Sequence, residues 1–487
     1  MPNLRSPNLL LGVALLLGVC ADILFYSHGL DGIALPIFTA LGLLTLLLFS
    51  RTEERPGGAN SWLGPLALSF AVWLAVRAEP TLVALNWLAL VGLLLLLAIG
   101  FRSDAILRLT LVQLIGRSFL ALVEVCIFPF ILAARQLSRL PAHSGRLRNI
   151  APVLRGALIA APLLLIFGVL FAAADSIFAS YVDQLLSLQL PFDVATAVAH
   201  SLFVGCFTLL VAGGVLVALS DGLRAPATLP AEGDTERLDR NALAWRFLGS
   251  TEALTVLTLL DLLFGGFMLI QGAYLFGGHD SLARTGMTYA DYARRGFFEL
   301  LSVAFLALGL LCVLALITRR ESARRRRLFN VANGVLVLLV LGVLASAFQR
   351  MWLYELAYGF TRLRIYTHSF MIWLALVLLL FMLALVRSYP RIFTSGVFAS
   401  ALVYLTILNI ISPDALIVRV NMARYQANPT ALDTEPNDTL FRSYSQEVDL
   451  YYLLTLSSDA TPDLVAALPQ LNPTQQAFAL TQLQNTR

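Results

Sequence analysis

Twelve long apolar runs occupy most of this chain, at 8–27, 31–50, 62–78, 81–101, 117–134, 152–174, 194–219, 251–276, 297–317, 329–348, 367–387 and 392–412. A helix rises about 1.5 Å per residue, so roughly 20 apolar residues carry it through about 30 Å of hydrocarbon. Each run is that long or nearly so. The runs are continuously apolar rather than alternating, which argues against a β-barrel and for helices that satisfy their own backbone in lipid. Charged residues make up only 13% of the chain, about half the ~25% usual in soluble domains. The sequence therefore predicts an all-α fold: a polytopic transmembrane helix bundle of about 11–13 spans with a short helical extramembrane tail. Arg5 followed by Leu9–Val19 has the look of a signal peptide, but Val19 is a poor small residue before Cys20 and further spans follow. The run reads as an uncleaved first span.

Arginines give the orientation. The connection 135–155 carries Arg135, Arg139, Arg146, Arg148 and Arg155 without an acid, and 318–328 carries Arg319, Arg320 and Arg324–Arg327 against Glu321 alone. Four spans separate them, so both face one side, which the positive-inside rule makes cytoplasmic. Asp175, Asp183 and Asp193 between them fit the outer side. The count then places 277–296, 349–366 and the tail outside. The segment 105–134 is too short for two full spans. Either it is re-entrant or interfacial, or the N-terminus lies outside and five spans precede Arg135.

Composition shifts divide the chain into N-terminal helices (1–101), a core bundle (102–412) and a polar, acidic tail (413–487), in which Asp463–Leu468 and Thr474–Leu483 read as short helices broken by Pro469 and Pro473. The expected location is a cytoplasmic membrane, multi-pass, with the tail extracytoplasmic.

Several chemistries are not indicated. The net charge of +4 is carried by arginine without lysine and is spread over loops, which gives no sign of nucleic-acid binding. Cys20, Cys126, Cys206 and Cys312 lie singly in apolar runs, which suits helix packing rather than disulfides or zinc. The five histidines make no metal-ligand spacing, and no phosphate loop, nucleophile elbow or kinase signature appears. No metal, cofactor or catalytic residue is expected, and an enzyme is weakly supported.

Three groups of residues stand out. Asp261 sits near the middle of 251–276, where a carboxylate costs on the order of 3 kcal/mol and should face the bundle interior or water. Thr258 and Gly265 lie one turn either side of it. The reading as an ion- or proton-linked site stands beside a packing role for a protonated or paired acid. Gln113, Arg117 and Glu124 share one helix face as an intramembrane polar stripe, although Arg117 also fits a simple interfacial marker. The third group is a pair of outer aromatic–basic segments. In one, Tyr289, Tyr292, Arg294, Arg295 and Glu299 fall in TYADYARRGFFELL. In the other, Arg350, Tyr354, Tyr358 and Arg362 recur every four residues, with Arg364 following. Guanidinium forks and tyrosines suit an anionic group such as a lipid headgroup or phosphate. An ordinary interfacial aromatic belt with Arg anchors accounts for the same composition.

At these residues the chain resembles a bacterial membrane family known only as domain of unknown function 4173, and it is similar to a related uncharacterised membrane family. The resemblance rests on MTYADYARRGFFELL, RMWLYELAYGFTRLRIYTHSFMIW, SPDALIVRVNMARY and VDLYYLLTLSSDATPDL, and covers roughly residues 105–468. It implies a polytopic bacterial membrane protein and brings no activity, substrate or catalytic residue.

Three functions are compatible with this reading. The first is transport or handling of a small or anionic ligand through the outer Tyr/Arg site and Asp261. The second is a non-transporting binding or signalling component that engages a protein partner or lipid through its outer segments and residues 413–487. The third is an intramembrane enzyme acting on a lipid-linked substrate, resting only on Glu299, Asp280 and His279. Membrane lipids are expected partners throughout.

Overall fold

The computed structural model describes residues 4–26, 29, 32–102, 111–139, 194–220, 250–276, 297–318, 322–387, 390–427 and 449–485. These residues are helical almost throughout. Eleven helices among them are long and apolar enough to cross a membrane, one for each predicted run except 152–174, which lies outside the described residues. Among the described residues, five helices open on a proline, Pro7, Pro80, Pro390, Pro413 and Pro473. The ring pre-sets a helical φ where the missing N–H has no intrahelical partner to lose.

The chain forms two units, residues 1–76 with 83–227 and residues 77–82 with 228–487. The first unit contains α1 (Pro7–Phe25), α2 (Ala34–Thr52), α3 (Leu63–Val76), most of α4 (Pro80–Gly100), α5 (Leu111–Arg139) and α6 (Val194–Ala218). Helix α1 packs along α6, and α6 along α5. Between α5 and α6 the approach is very close: a Cβ at Gly213 would sit 2.0 Å from the Val125 carbonyl oxygen. Lipid supplies little hydrophobic drive between helices, so small residues that let backbones touch carry the packing. Helix α5 is a continuous 29-residue helix that runs through Pro129, and Gly116–Ala133 within it is long and apolar enough for a single crossing.

The N-terminus of α1 is held by Glu53 from the end of α2. Its carboxylate accepts from the Arg5 backbone N–H (2.6 Å), the Ser6 N–H (3.0 Å) and Ser6 Oγ (2.9 Å). A negative charge there satisfies orphan donors and complements the helix dipole. Burial alone would raise the Glu53 carboxyl, but these donors and Arg55 outweigh it and hold it below the ordinary carboxylate range.

The second unit contains α7 (Ser250–Phe276), α8 (Phe297–Ile317), α9 (Ala323–Tyr358), α10 (Arg362–Arg387), α11 (Pro390–Ile411), α12 (Pro413–Ala427), α13 (Leu450–Leu454), α14 (Thr461–Ala467) and α15 (Pro473–Asn485). The 36-residue α9 is its axis and packs against α7, α8 and α10. Leu257, Ala304, Leu311, Leu336, Val340, Leu374 and Leu378 fill the core between them. A separate apolar cluster holds the tail: Ile417, Val418, Leu450, Leu453, Leu464, Leu468 and Ala479 gather around Ile365 from the first turn of α10. The tail thus has a small core of its own, seated on the end of α10.

Candidate functional site

Among the described residues of the second unit, the polar contacts concentrate where α9 ends, α10 begins and the tail docks. Helix α9 stops at Gly359, whose φ of +77° belongs to a conformation that favours glycine. A Cβ there would also meet Asn421 Oδ1 at 2.8 Å. Asn421 fixes the turn from the tail side: its Oδ1 accepts from the Phe360 N–H (2.9 Å) and its Nδ2 donates to the Phe360 carbonyl (2.8 Å).

Beyond this turn, Arg362 reaches into the tail. Its Nε and Nη2 donate to the two oxygens of Asp414 at 2.7 and 2.5 Å, the fork-to-fork geometry that strengthens guanidinium–carboxylate pairs. Asp414 is fully buried and sits in the first turn of α12, where the helix dipole favours an acid. It also accepts from the Ser457 N–H (2.8 Å) and Ser457 Oγ (2.6 Å). Burial would raise this carboxyl, but the Arg362 and Ser457 donors outweigh it and hold it below its ordinary range. The Tyr452 hydroxyl accepts from the Arg362 backbone N–H at 2.8 Å.

A second buried acid, Glu79, stands 3.8 Å from Arg362 Nε. Its carboxylate accepts from the N–H groups of Thr81 (3.1 Å) and Leu82 (2.6 Å), closing the start of α4, and from the Tyr366 hydroxyl. The backbone at Ala78 and Glu79 donates in turn to Asp459. Two buried carboxylates around one guanidinium, with hydrogen bonds completing the shell, form a latch between spans and tail. Removing one member of such a buried network leaves its partners buried and unpaired, at a cost.

Next to the latch is a Tyr/Arg group. The Arg364 guanidinium lies 4.2 Å over the Tyr354 ring and 6.0 Å from the Tyr358 ring, and the two rings are 4.9 Å apart. Arg364 donates to the Gly359 carbonyl, and Arg424 of α12 donates to the Glu355 carbonyl at 2.9 Å. Burial first, and then the like charge of Arg364, lowers the proton affinity of the Arg424 guanidinium. Beneath them, Glu355 Oε2 meets His368 Nδ1 at 2.8 Å. Glu355 Oε1 and His368 Nε2 are buried without a hydrogen-bond partner among the described residues.

The structure thus gathers Tyr354, Tyr358 and Arg364 in one place and commits Arg362 to the latch. Arg350 lies two turns back along α9, half-buried. The four-residue ridge of Arg350, Tyr354, Tyr358 and Arg362 breaks at Gly359, because Arg362 belongs to the next helix. Tyr289, Tyr292, Arg294 and Arg295 lie outside the described residues, and Glu299 falls in the first turn of α8. Thr258 is exposed; Asp261 is half-buried, with Oδ1 lacking a hydrogen-bond partner among the described residues. Its neighbours Leu259, Leu262 and Leu263 are more than 60% exposed, the pattern of a helix with apolar side chains toward lipid. Gln113, Arg117 and Glu124 all fall in α5, with Arg117 and Glu124 half-buried.

Sequence reading passed over Glu79, Asp414, Tyr452, Ser457, Glu355 and Arg424. It also passed over a pair in the first unit, where Asp22 and His200 Nδ1 meet at 2.8 Å across α1 and α6 and the His200 ring lies tilted against Tyr26, centroids 3.8 Å apart. Two local signals were available: Glu79 and Asp414 each flank a proline that opens a helix. Among the described residues, no three metal-ligating side chains converge.

Among the described residues, eleven helices long and apolar enough to cross a membrane, with a helical tail, define a multi-pass integral membrane protein. Residues 64–467 match the model of a domain of unknown function, DUF4153, and the chain belongs to that family. The motifs resembled family 4173 and a related uncharacterised membrane family; the matched family differs in name from 4173 and is of the same unknown-function kind. No curated protein and no solved structure matches the chain.

Proposed function

We propose that this membrane protein binds a small anionic ligand at the Tyr354–Tyr358–Arg364–Arg424 group. The observation that carries this reading is the pairing of two half-buried guanidinium groups from separate elements. Placing like charges together costs energy that a bound phosphate or carboxylate recovers. No carboxylate pairs with Arg364 among the described residues, and Tyr358 is 43% exposed at the rim. The site sits on the face that the arginine count makes extracytoplasmic in a bacterial cytoplasmic membrane. In this reading Asp261 serves a later, ion-linked step of ligand handling within the bundle.

Thermal unfolding of the purified full chain with inorganic phosphate tests the site, because a ligand that binds only the folded state raises the melting temperature. Phosphate is expected to stabilise the wild type and to lose that effect in Arg364→Ala. A phosphate effect equal in both proteins, or none in the wild type, would refute the assignment.

A second reading, a partner-binding component acting through residues 413–487, is favoured by Tyr451, Val465 and Phe478, which are 74%, 51% and 43% exposed on the tail. A photo-crosslinker at Tyr451 tests it: one recurrent adduct supports this reading, and a dispersed background argues against it.

A further inference from the structure

At the opposite end of α9 from the Tyr/Arg group, a groove of about 510 Å³ runs between α9 and α10. Arg326 and Arg327 stand at its mouth. Val331, Gly334 and Leu338 form one wall, and Met382, Leu385 and Val386 the other. We propose that this groove binds an anionic phospholipid, with its phosphate on the two guanidinium groups and an acyl chain along the apolar walls.

Three observations carry the assignment. First, charge and apolar surface are segregated lengthwise, as they are in a phospholipid. Ala323 to Leu338 covers about 22 Å of helix at 1.5 Å per residue, close to the ~20–22 Å of one leaflet with its headgroup region. Second, the walls face outward: Val331, Leu338 and Val386 are 57%, 60% and 73% exposed, as lipid-facing side chains should be. Third, the arginines oppose the fold that carries them. Ser322 caps α9, its Oγ accepting from the Arg325 N–H at 3.3 Å, so Arg324–Arg327 lie in the first turns, where the helix dipole disfavours cations. An anion relieves both the dipole and the mutual repulsion, and among the described residues no carboxylate pairs with Arg326 or Arg327.

Gly334 makes the inference testable without disturbing the core. A Cβ built there meets nothing within 4 Å, so Gly334→Leu projects into the groove, and leucine is a better helix former than glycine. The full chain would be placed in nanodiscs of equal phosphatidylglycerol and phosphatidylcholine, and retained lipid read by native mass spectrometry. Wild type should retain phosphatidylglycerol preferentially. The double variant Arg326→Gln/Arg327→Gln should lose about thirty-fold in that preference, from roughly one surface-charge interaction per arginine. Gly334→Leu should lower retention of the lipid while leaving the arginines in place. Equal retention of the two lipids by wild type, or retention unchanged in both variants, would overturn the proposal. So would displacement by millimolar inorganic phosphate combined with no effect of Gly334→Leu, since that pattern means a phosphate site without an acyl groove.

Discussion

Arg362 and Asp414 meet fork to fork, Nε to Oδ1 at 2.7 Å and Nη2 to Oδ2 at 2.5 Å, across 52 residues of chain. The pair joins the first residue of a span to the first turn of the tail, so the tail is a docked element of the second unit rather than a free extension. Removing one partner of a buried ion pair costs about 3–5 kcal/mol, because the other charge stays buried and uncompensated. Asp414→Ala should therefore undock the tail, seen as faster hydrogen exchange and proteolysis across 449–485. Ser457→Ala removes one donor and leaves the Ser457 backbone N–H in place, so a smaller loss is expected, about 1.5–3 kcal/mol for a hydrogen bond to a charged group. Equal protection in wild type and Asp414→Ala would refute the latch.

Acid should release the same latch. The folded state holds the Asp414 carboxyl below its ordinary value, which lies near 3.9. A depressed folded value means that the ionised form is favoured by folding. Its contribution is complete above about pH 5 and is lost as pH falls through the folded value, below about 4. Tail protection should be flat from pH 8 to pH 5 and decline below about pH 4. Asp414→Asn should flatten that acid limb while lowering protection at neutral pH.

The turn at Gly359 should resist substitution. Gly359→Ala forces a side chain into positive φ, at a cost of order 1–3 kcal/mol, and pushes its Cβ against Asn421 Oδ1 at 2.8 Å. The expected result is a lower melting temperature together with weakened phosphate stabilisation, since the same turn positions Arg364. Asn421→Ala should weaken the turn from the other side, and the double variant should cost less than the sum of the two, as shared contacts do.

Close helix contact in the first unit makes an independent prediction. Gly213→Leu places a side chain where the Val125 backbone already lies, with even a Cβ only 2.0 Å from its carbonyl oxygen. Separation of α5 from α6 should follow, and with it a loss of detergent-stable, monodisperse protein. Gly214→Leu is the matched control: its Cβ meets nothing within 4 Å, and it should extract normally.

The spans were legible because membrane insertion is a local property: about 20 apolar residues decide it whatever their neighbours do. The latch was not, because Tyr366 and Glu79 are 287 residues apart and no local pattern encodes their meeting. Pro80 and Pro413 are local signals of helix starts, but nothing beside them encodes a partnership with Arg362. Helix α12 was hidden by its composition: PDALIVRVNMARYQA mixes charge and apolar residues as a tail-docking helix must, and so resembles a polar extension. The Tyr/Arg segment was half legible. Its residue types pointed to an interface with anion chemistry, but the Gly359 turn reassigned Arg362 from the cluster to the latch, and only tertiary contact supplied Arg424.

Topology offers the sharpest remaining test. Helix α9 is long and apolar enough to cross once, from an arginine-rich start to a tyrosine-rich end, and its 36 residues reach about 54 Å at 1.5 Å each, more than the ~40–45 Å of a bilayer with its headgroups. Both ends should therefore emerge into water on opposite sides. The Arg362–Asp414 pair ties the tail to the far end. In a background lacking Cys20, Cys126, Cys206 and Cys312, a cysteine at Ser322 should react with a membrane-impermeant maleimide only after the cytoplasmic face is opened, and one at Tyr451, 74% exposed, should react in intact cells. Labelling of both positions from the same side would sink the single crossing of α9. Reversed labelling would keep the crossing and overturn the orientation taken from the arginines, moving the proposed anion site to the cytoplasm and the proposed lipid groove to the outer leaflet.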